Sequence, residues 1–183
     1  MKELALHVLD IAENSISAEA DNITIEINEN TIENYIKIII EDDGKGIEKE
    51  ILKNITDPFV TSRNTRPVGL GLSLFKAAAK RCEGSFNIES DKTGTKVKAV
   101  FKRDHIDRAP IGNVAQSLIS ILLWNENIDL KYIHTYDNDQ FIFDTKEIKK
   151  ELEDINITDS KIINWLKDYI KENISEIRGG EFN

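Results

Sequence analysis

The sequence predicts an α+β protein in which one layer of helices covers a mixed sheet. Two observations carry this prediction. Apolar residues recur with a helical period over the first twenty positions, and short segments that alternate apolar and polar residues follow them. Up to about residue 102 the order is helix, two strands, helix, loop, helix, two strands, without an internal repeat.

The first helix carries a polar stripe opposite an apolar side built from Ala5, Leu9, Ala12 and Ile16. The stripe repeats at steps of four and three and consists of Glu3, His7, Asp10, Asn14, Ser17 and Asp21. Asp10 and Asn14 stand one turn apart, so a carboxylate that can attract a proton lies beside an amide oxygen that can hold a cation. The alternative is a helix whose polar side only meets water.

The next elements are predicted from the spacing of apolar residues and from the turn-forming residues between them. Strands are predicted at 22–27 and 35–41, a short helix at 48–54 and a long polar loop at 56–68. A helix over 70–81 is predicted to carry Leu70, Leu74, Ala77, Ala78 and Cys82 on one face, with Cys82 in the core at the helix end. Two strands, 85–90 and 95–102, complete a domain that spans residues 1–103.

Composition changes near Asp104, and we expect residues 104–183 to form a small C-terminal α/β appendage of unknown role. It comprises a helix at 111–124, a hairpin of 131–136 with 140–143, a helix from about Asp144 to Glu153 and a last helix from Thr158 or Asp159. Trp165 and Tyr169 follow helical spacing in that last helix. They are predicted to pack the appendage, with docking to a partner as the alternative.

Charge excludes several classes of partner. The chain has a net charge of −9; residues 1–103 carry 15 basic and 17 acidic side chains, and residues 104–183 carry 9 and 16. A nucleic-acid binder needs clustered cations, so binding of nucleic acid is not expected, nor is docking on an anionic membrane. The single cysteine excludes an internal disulfide, and the apolar run 118–124 is too short to cross a bilayer. We expect a cytoplasmic protein.

Asp42, Gly44 and Gly46 form a compact motif at the end of the apolar second strand. Glycines allow a sharp turn and let a flat ring approach the backbone. An ionised Asp only accepts hydrogen bonds, which suits an exocyclic amino group. The alternative interpretation is an ordinary Asp-Gly hairpin turn.

A second glycine pair, Gly69 and Gly71, opens the helix that follows the long loop, and Arg63 and Arg66 precede it. Free amides at a helix start and arginine side chains both favour phosphate. The alternative is a plain glycine-rich loop, because neither glycine pair matches the dinucleotide or P-loop fingerprints.

Taken together, the order and spacing of these segments resemble the GHKL superfamily. That superfamily groups gyrase-type and MutL-type ATPases, heat-shock chaperones, histidine kinases and anti-sigma serine kinases. The matching segments are DIAENSISAEADNITIEI at 10–27, DDGKGI at 42–47, DPFVTSR at 57–63, GLGLSL at 69–74, Gly84 and Gly94-Thr95. The first helix is most similar to the MutL type, and residues 57–94 to the histidine-kinase type.

The resemblance implies a Bergerat fold, a two-layer α/β sandwich that binds ATP and Mg²⁺ beneath a lid formed by residues 61–71. It implies that Asn14 coordinates Mg²⁺, that Asp42 accepts the adenine amino group and that Asp10 occupies the position of the general base. The residues expected to bind nucleotide are Asn14, Asp42, Gly44, Gly46, Ile47, Arg63, Gly69, Leu70, Gly71, Leu72 and Thr95.

Several positions depart from the family pattern. Asp10 is one methylene shorter than the usual Glu, so hydrolysis is expected to be slow or to need an intervening water. Pro67 replaces the first lid glycine of histidine kinases, which removes an amide. Ser17 stands where a phosphate-contacting Lys is frequent. Because the motifs begin at residue 3, we expect a stand-alone protein without the dimerising helices of a histidine kinase.

These features predict a regulatory module that uses ATP to control a partner protein, either by hydrolysis or by transfer to a protein side chain. The alternative is a non-catalytic nucleotide sensor or a structural subunit of a larger, redox-active complex. Small proteins that resemble this one occur beside hydrogenase and NADH-oxidoreductase components, which is a hint about the partner. His7 lies on the polar stripe, where a structural role is the more usual one.

Overall fold

The computed structural model describes residues 3–53 and 70–180. Its helices are α1 (Leu4–Ser17), α2 (Lys49–Leu52), α3 (Leu70–Arg81), α4 (Val114–Trp124), α5 (Thr145–Leu152) and α6 (Ser160–Ile177). Its strands are β1 (Asn22–Asn30), β2 (Tyr35–Asp42), β3 (Ser85–Asp91), β4 (Gly94–Lys102), β5 (Asp129–Tyr136) and β6 (Asp139–Asp144). The predicted α+β class, with helices over a mixed sheet, is confirmed.

The strands form one six-stranded sheet in the order β3-β4-β2-β1-β5-β6. All neighbours are antiparallel except β1 and β5, which run parallel with Ile25 opposite Tyr132. The C-terminal hairpin of β5 and β6 therefore extends the sheet formed by the first hundred residues. The division of the chain after residue 103 remains a prediction.

The core lies between the helices and one face of this sheet. Ile23, Ile25 and Ile27 of β1 alternate with half-buried polar residues and are at most 1% exposed. The alternation arises because successive side chains of a strand point to opposite faces. Each buried isoleucine contributes about 1.5–3 kcal/mol relative to an exposed one.

Helix α1 is held at its start by the connection that precedes α4. The N–H groups of Leu4 and Ala5 donate to the carbonyls of Pro110 and Ile111 at 2.9 and 2.8 Å. These two bonds satisfy amides that a helix start otherwise leaves unpaired. Because α1 contacts both α3 and α4, it buries more than its apolar stripe, and His7 is only 3% exposed.

Cys82 is buried as predicted, but the rest of the face predicted for the third helix does not form the core contact. Leu70 and Leu74 are 68% and 44% exposed, whereas Leu72, Phe75 and Ala79 are buried. Both sides of this helix contain apolar residues, so their helical spacing alone does not show which side is buried. The large ring of Phe75, which packs against His7 and Phe101, turns the other face inward.

Strand β1 continues to Asn30, three residues beyond the end predicted for it at residue 27. Glu29 is only 1% exposed, and its Oε1 lies 2.9 Å from both the Nε2 of His134 and the Nε of Arg178. The Tyr132 hydroxyl lies 2.5 Å from the Nδ1 of His134. These partners compensate the burial of a carboxylate and attach the end of α6 to the far end of β1.

No helix in the described parts of the chain combines the length and the apolar character needed to cross a membrane. The short α2 occupies the centre of the helix predicted at 48–54. Arg63 and Gly69, together with most of the predicted lid, fall outside the described residues.

Candidate functional site

Asp10 on α1 and Gly71 at the start of α3, sixty-one residues apart in the sequence, lie so close that a side chain on residue 71 would crowd Asp10. A Cβ atom on Gly71 would stand 3.2 Å from the Asp10 Cβ and 3.5 Å from its Oδ2. The missing side chain lets the start of α3 approach the middle of α1. One helical turn away, the rings of His7 and Phe75 stack at 5.0 Å with an interplanar angle of 19°.

The surroundings of Asp10 favour its protonated form. Burial raises the pKa of this carboxyl, and the nearby charge of Glu13 raises it further. An ionised carboxylate with a raised pKa is a stronger proton acceptor than a fully solvated one. The position of Asp10 on α1 thus suits a general base.

His7 cannot act as a cation beside Asp10 at neutral pH. Burial lowers the pKa of its imidazole to about 4. Its Nδ1 is buried and has no hydrogen-bond partner among the described residues. The neutral ring packs in the core between α1 and α3, which agrees with the structural role considered for it.

Asn14 follows Asp10 by one turn on the same side of α1 and is half-buried. Within residues 3–53 and 70–180, its side-chain amide forms no hydrogen bond. No described residue therefore engages the amide oxygen, which can serve as a ligand. Mg²⁺ takes few protein ligands and completes its shell with phosphate and water, so a single amide oxygen at this point fits that ion.

The Asp42 carboxylate is held by two hydrogen bonds. The Ser15 hydroxyl donates to Oδ2 at 2.6 Å, and the Gly44 N–H donates to Oδ1 at 3.0 Å. Each oxygen keeps a free lone pair, so the fixed carboxylate can still accept from an amino group. Ser15 is a positioning residue that sequence reasoning missed, although it directly follows Asn14.

Gly46 occupies a position that no other residue fits. Its φ is +67°, and a Cβ there would stand 1.6 Å from the carbonyl oxygen of Asp91. The glycine thereby lets the segment after β2 pass close to the turn between β3 and β4. This contact closes one wall of the site.

A chain of hydroxyl groups links that wall to β4. The Ile47 N–H donates to Ser90 Oγ at 2.8 Å, and Ser90 Oγ lies 2.8 Å from Thr95 Oγ1. Thr95 in turn stands opposite Asp42 in the β2–β4 pairing. Ser90 is the second residue that sequence reasoning missed, because nothing in its own segment distinguishes it from other strand serines.

A cavity of about 320 Å³ opens at this end of the sheet. It is lined by residues of β2, β3, β4 and the turn between the last two, and no described residue of α1 is part of its lining; the lining residues are Glu41, Asp42, Glu89, Ser90, Asp91, Thr93, Gly94, Thr95 and Lys96. Asp42 is joined by Ser15 to the same helix that carries Asn14 and Asp10. At 1.5 Å per residue, the span from Ser15 to Asp10 is about 7–8 Å along α1.

The remaining predicted positions differ in their placement. Leu72 is only 2% exposed, so its side chain belongs to the core, whereas Leu70 is largely exposed at the start of α3. In the described residues, His, Cys, Asp and Glu do not gather in groups of three or more that could hold a metal ion. Arg63 and Gly69 lie outside the described residues, and their assignment stays a prediction.

Comparison with known proteins gives one family match over residues 2–105, described as "Histidine kinase-, DNA gyrase B-, and HSP90-like ATPase". A putative sensor histidine kinase NtrY-like of Rickettsia bellii is 29% identical over 94 residues, 51% of this chain and 15% of that kinase. Sporulation kinase D of Bacillus subtilis is 33% identical over 91 residues, 49% of this chain and 18% of that kinase.

The chain therefore spans less than a fifth of the length of these two kinases. Among solved structures, the MutL ATPase domain of Aquifex aeolicus complexed with ADP aligns with a TM-score of 0.48 and 14% identity. That alignment covers 84% of this chain and 68% of the MutL chain.

Proposed function

This chain belongs to the histidine kinase-, DNA gyrase B-, and HSP90-like ATPase family, and from that premise we propose that it binds Mg²⁺-ATP and uses the bound nucleotide to control a partner protein. The observation that carries the proposal is the Asp42 carboxylate, oriented by Ser15 and Gly44 at the mouth of a cavity. Asp42 accepts the adenine amino group, and Thr95 and Gly46 line the base.

The phosphates extend from this pocket along α1 toward Asn14 and the start of α3. The Asn14 amide oxygen, which no described residue engages, suits Mg²⁺, and the ion would neutralise phosphate charge when it is bound. The exposed start of α3 offers the amides of its first turn and the positive end of a helix dipole to the terminal phosphate. Arg63 is the proposed additional phosphate contact.

Asp10 is the proposed general base. Its raised pKa and its place against Gly71 put a proton acceptor beside the start of α3. It would accept the proton of the attacking oxygen, which belongs either to water or to a side chain of the partner. Two arrangements, an ATPase switch and a protein kinase, share this chemistry.

The test is calorimetric titration of the purified protein with ATP, with and without Mg²⁺. Wild type is expected to bind Mg²⁺-ATP more tightly than metal-free ATP. Asn14→Ala should lose that difference and retain binding of metal-free nucleotide, because only the metal contact is removed. Absence of binding heat in wild type under both conditions would refute the nucleotide site itself.

A second function, nucleotide sensing without turnover, is favoured by the length of the Asp10 side chain. Asp reaches one methylene less far than the Glu of related hydrolases, so a base at this position works at a greater distance. In that case the protein would signal through nucleotide binding alone, without releasing phosphate. Labelled ATP distinguishes the cases: label on a protein indicates a kinase, free phosphate an ATPase, and neither a sensor.

The partner is proposed to be a protein, and hydrogenase and NADH-oxidoreductase components are the first to examine. The net charge of −7 on residues 104–183 supports a protein surface rather than nucleic acid.

A further inference from the structure

Helix α6 presents an aromatic pair at the surface instead of burying it. The rings of Trp165 and Tyr169 stack at 5.3 Å with an interplanar angle of 12°, and Trp165 is 56% exposed. Tyr169 meets Phe141 edge-on at 5.6 Å, so the pair is anchored to the core through its inner member. The outer ring is rigidly supported and open to a ligand.

Acidic residues continue the same exposed side of α6. Asp168, Glu172 and Glu176 recur every four residues and are exposed, with Lys171 as the cation among them. Within the described residues, the three carboxylates form no ion pair. An open groove of about 520 Å³ runs beside them. The groove is lined by Asp168, Lys171, Glu172, Ser175, Glu176 and Gly180.

We propose that this face of α6, formed by Trp165, Asp168, Glu172 and Glu176, docks an arginine- or lysine-rich segment of a partner protein. A supported indole is the best ring for a cation–π contact. The carboxylates one and two turns further along can accept bidentate hydrogen bonds from arginine. Both features select the same ligand chemistry, a cationic side chain.

Charge complementarity excludes the other candidate ligands of this α6 face. A second copy of this chain carries a net charge of −9 and presents the same acidic face, so it is repelled. Nucleic acid and anionic lipid are repelled for the same reason. A basic peptide segment satisfies both the aromatic and the acidic parts of the surface. The inference does not depend on nucleotide binding, because α6 contributes no residue to the candidate site.

The probe is a synthetic peptide of ten arginines, with a peptide of ten glutamates as its negative control. The full chain carries Trp124→Phe, which leaves Trp165 as the only tryptophan. We expect the arginine peptide to change the Trp165 emission in a saturable manner, and the effect to weaken as salt is raised. The glutamate peptide should leave the emission unchanged.

Two charge reversals of equal size separate a site from general attraction. D168K/E172K is expected to weaken binding roughly tenfold, whereas E151K/D154K, two exposed acids of the α5 region, should leave it within about twofold. Equal losses in both variants, or an emission that does not respond to the arginine peptide, would overturn the proposal. Self-association lost on Trp165→Ala would overturn it too, in favour of a second copy.

Discussion

Asp10 on α1 faces Gly71 at the start of α3, and a side chain on residue 71 would crowd the Asp10 side chain. A Cβ at residue 71 would lie 3.2 Å from the Asp10 Cβ, tighter than ordinary van der Waals contact. This contact joins the proposed base to the start of α3. The two elements that would handle the terminal phosphate are thus coupled directly.

Gly71→Ala is expected to lower phosphate release while changing stability little. The added methyl displaces Asp10 by a few tenths of an ångström, and misplaced catalytic groups lose rate steeply. The helix itself gains up to about 1 kcal/mol from replacing a glycine, which offsets the crowding. The measurement is steady-state phosphate release with thermal unfolding alongside. Lys80→Ala, at an exposed site on α3, is the control and should match wild type.

Asp10→Asn is expected to keep nucleotide affinity and to reduce turnover by about 10²–10⁴-fold. Asparagine has nearly the same shape but does not accept the proton. Because burial and Glu13 raise the pKa of Asp10, wild-type turnover should fall as pH drops, starting at a higher pH than an ordinary aspartate would show. Equal phosphate release by wild type and variant would exclude Asp10 as the base.

Ser15→Ala is expected to weaken ATP binding by about 1–3 kcal/mol, because Asp42 loses the hydroxyl that orients it at 2.6 Å. The loss should be the same for ATP, ADP and AMP, since the contact lies at the base end. Asn14→Ala should instead weaken the binding of ATP, ADP and AMP to different extents, according to the number of phosphates. A Ser15→Ala loss confined to ATP would contradict the proposed orientation of the nucleotide.

Folding stability should fall as pH drops from about 6.5 to about 4. His7 is buried with its pKa lowered to about 4, so in this window the unfolded chain binds a proton that the folded chain rejects. The sign is therefore loss of stability with acid, at most about 3 kcal/mol. His7→Leu removes the titrating group. Urea unfolding at several pH values should show a flatter dependence for His7→Leu than for wild type.

Glu29→Gln is expected to destabilise the protein by about 3–5 kcal/mol, because it removes the charge that faces buried Arg178 and His134. Glu29→Leu with Arg178→Leu should cost less than the sum of the single changes, since the two groups interact. Urea unfolding of the four proteins in this cycle gives the coupling. Additive losses would show that the ion pair does not hold α6 to β1.

The strands and the polar residues of α1 were predictable because they depend on local period and on short motifs. Asp42 and Thr95 were placed together by a family pattern, and the β2–β4 register pairs them directly. Ser15 and Ser90 were not predictable as partners, because the direction of a hydroxyl bond is set by distant elements.

Two further differences have physical causes. Glu29 lies beyond the predicted end of its strand, yet partners from β5 and the end of α6 compensate the cost of burying it. Trp165 follows the apolar spacing of α6, but Leu166 and Ile170 already fill the face that meets the sheet. Helical spacing identifies the residues that could be buried, and the area of the sheet that α6 covers limits how many of them are.

The parallel pairing of β1 with β5 has a consequence for how the chain is made. Strand β1 lies within the first thirty residues, but its parallel partner β5 follows more than a hundred positions later. The middle of the sheet can therefore form only late in synthesis. A chain ending at residue 103 would expose the row of amides and carbonyls along β1 to other chains. Aggregation, rather than a smaller working domain, is the expected fate of that fragment.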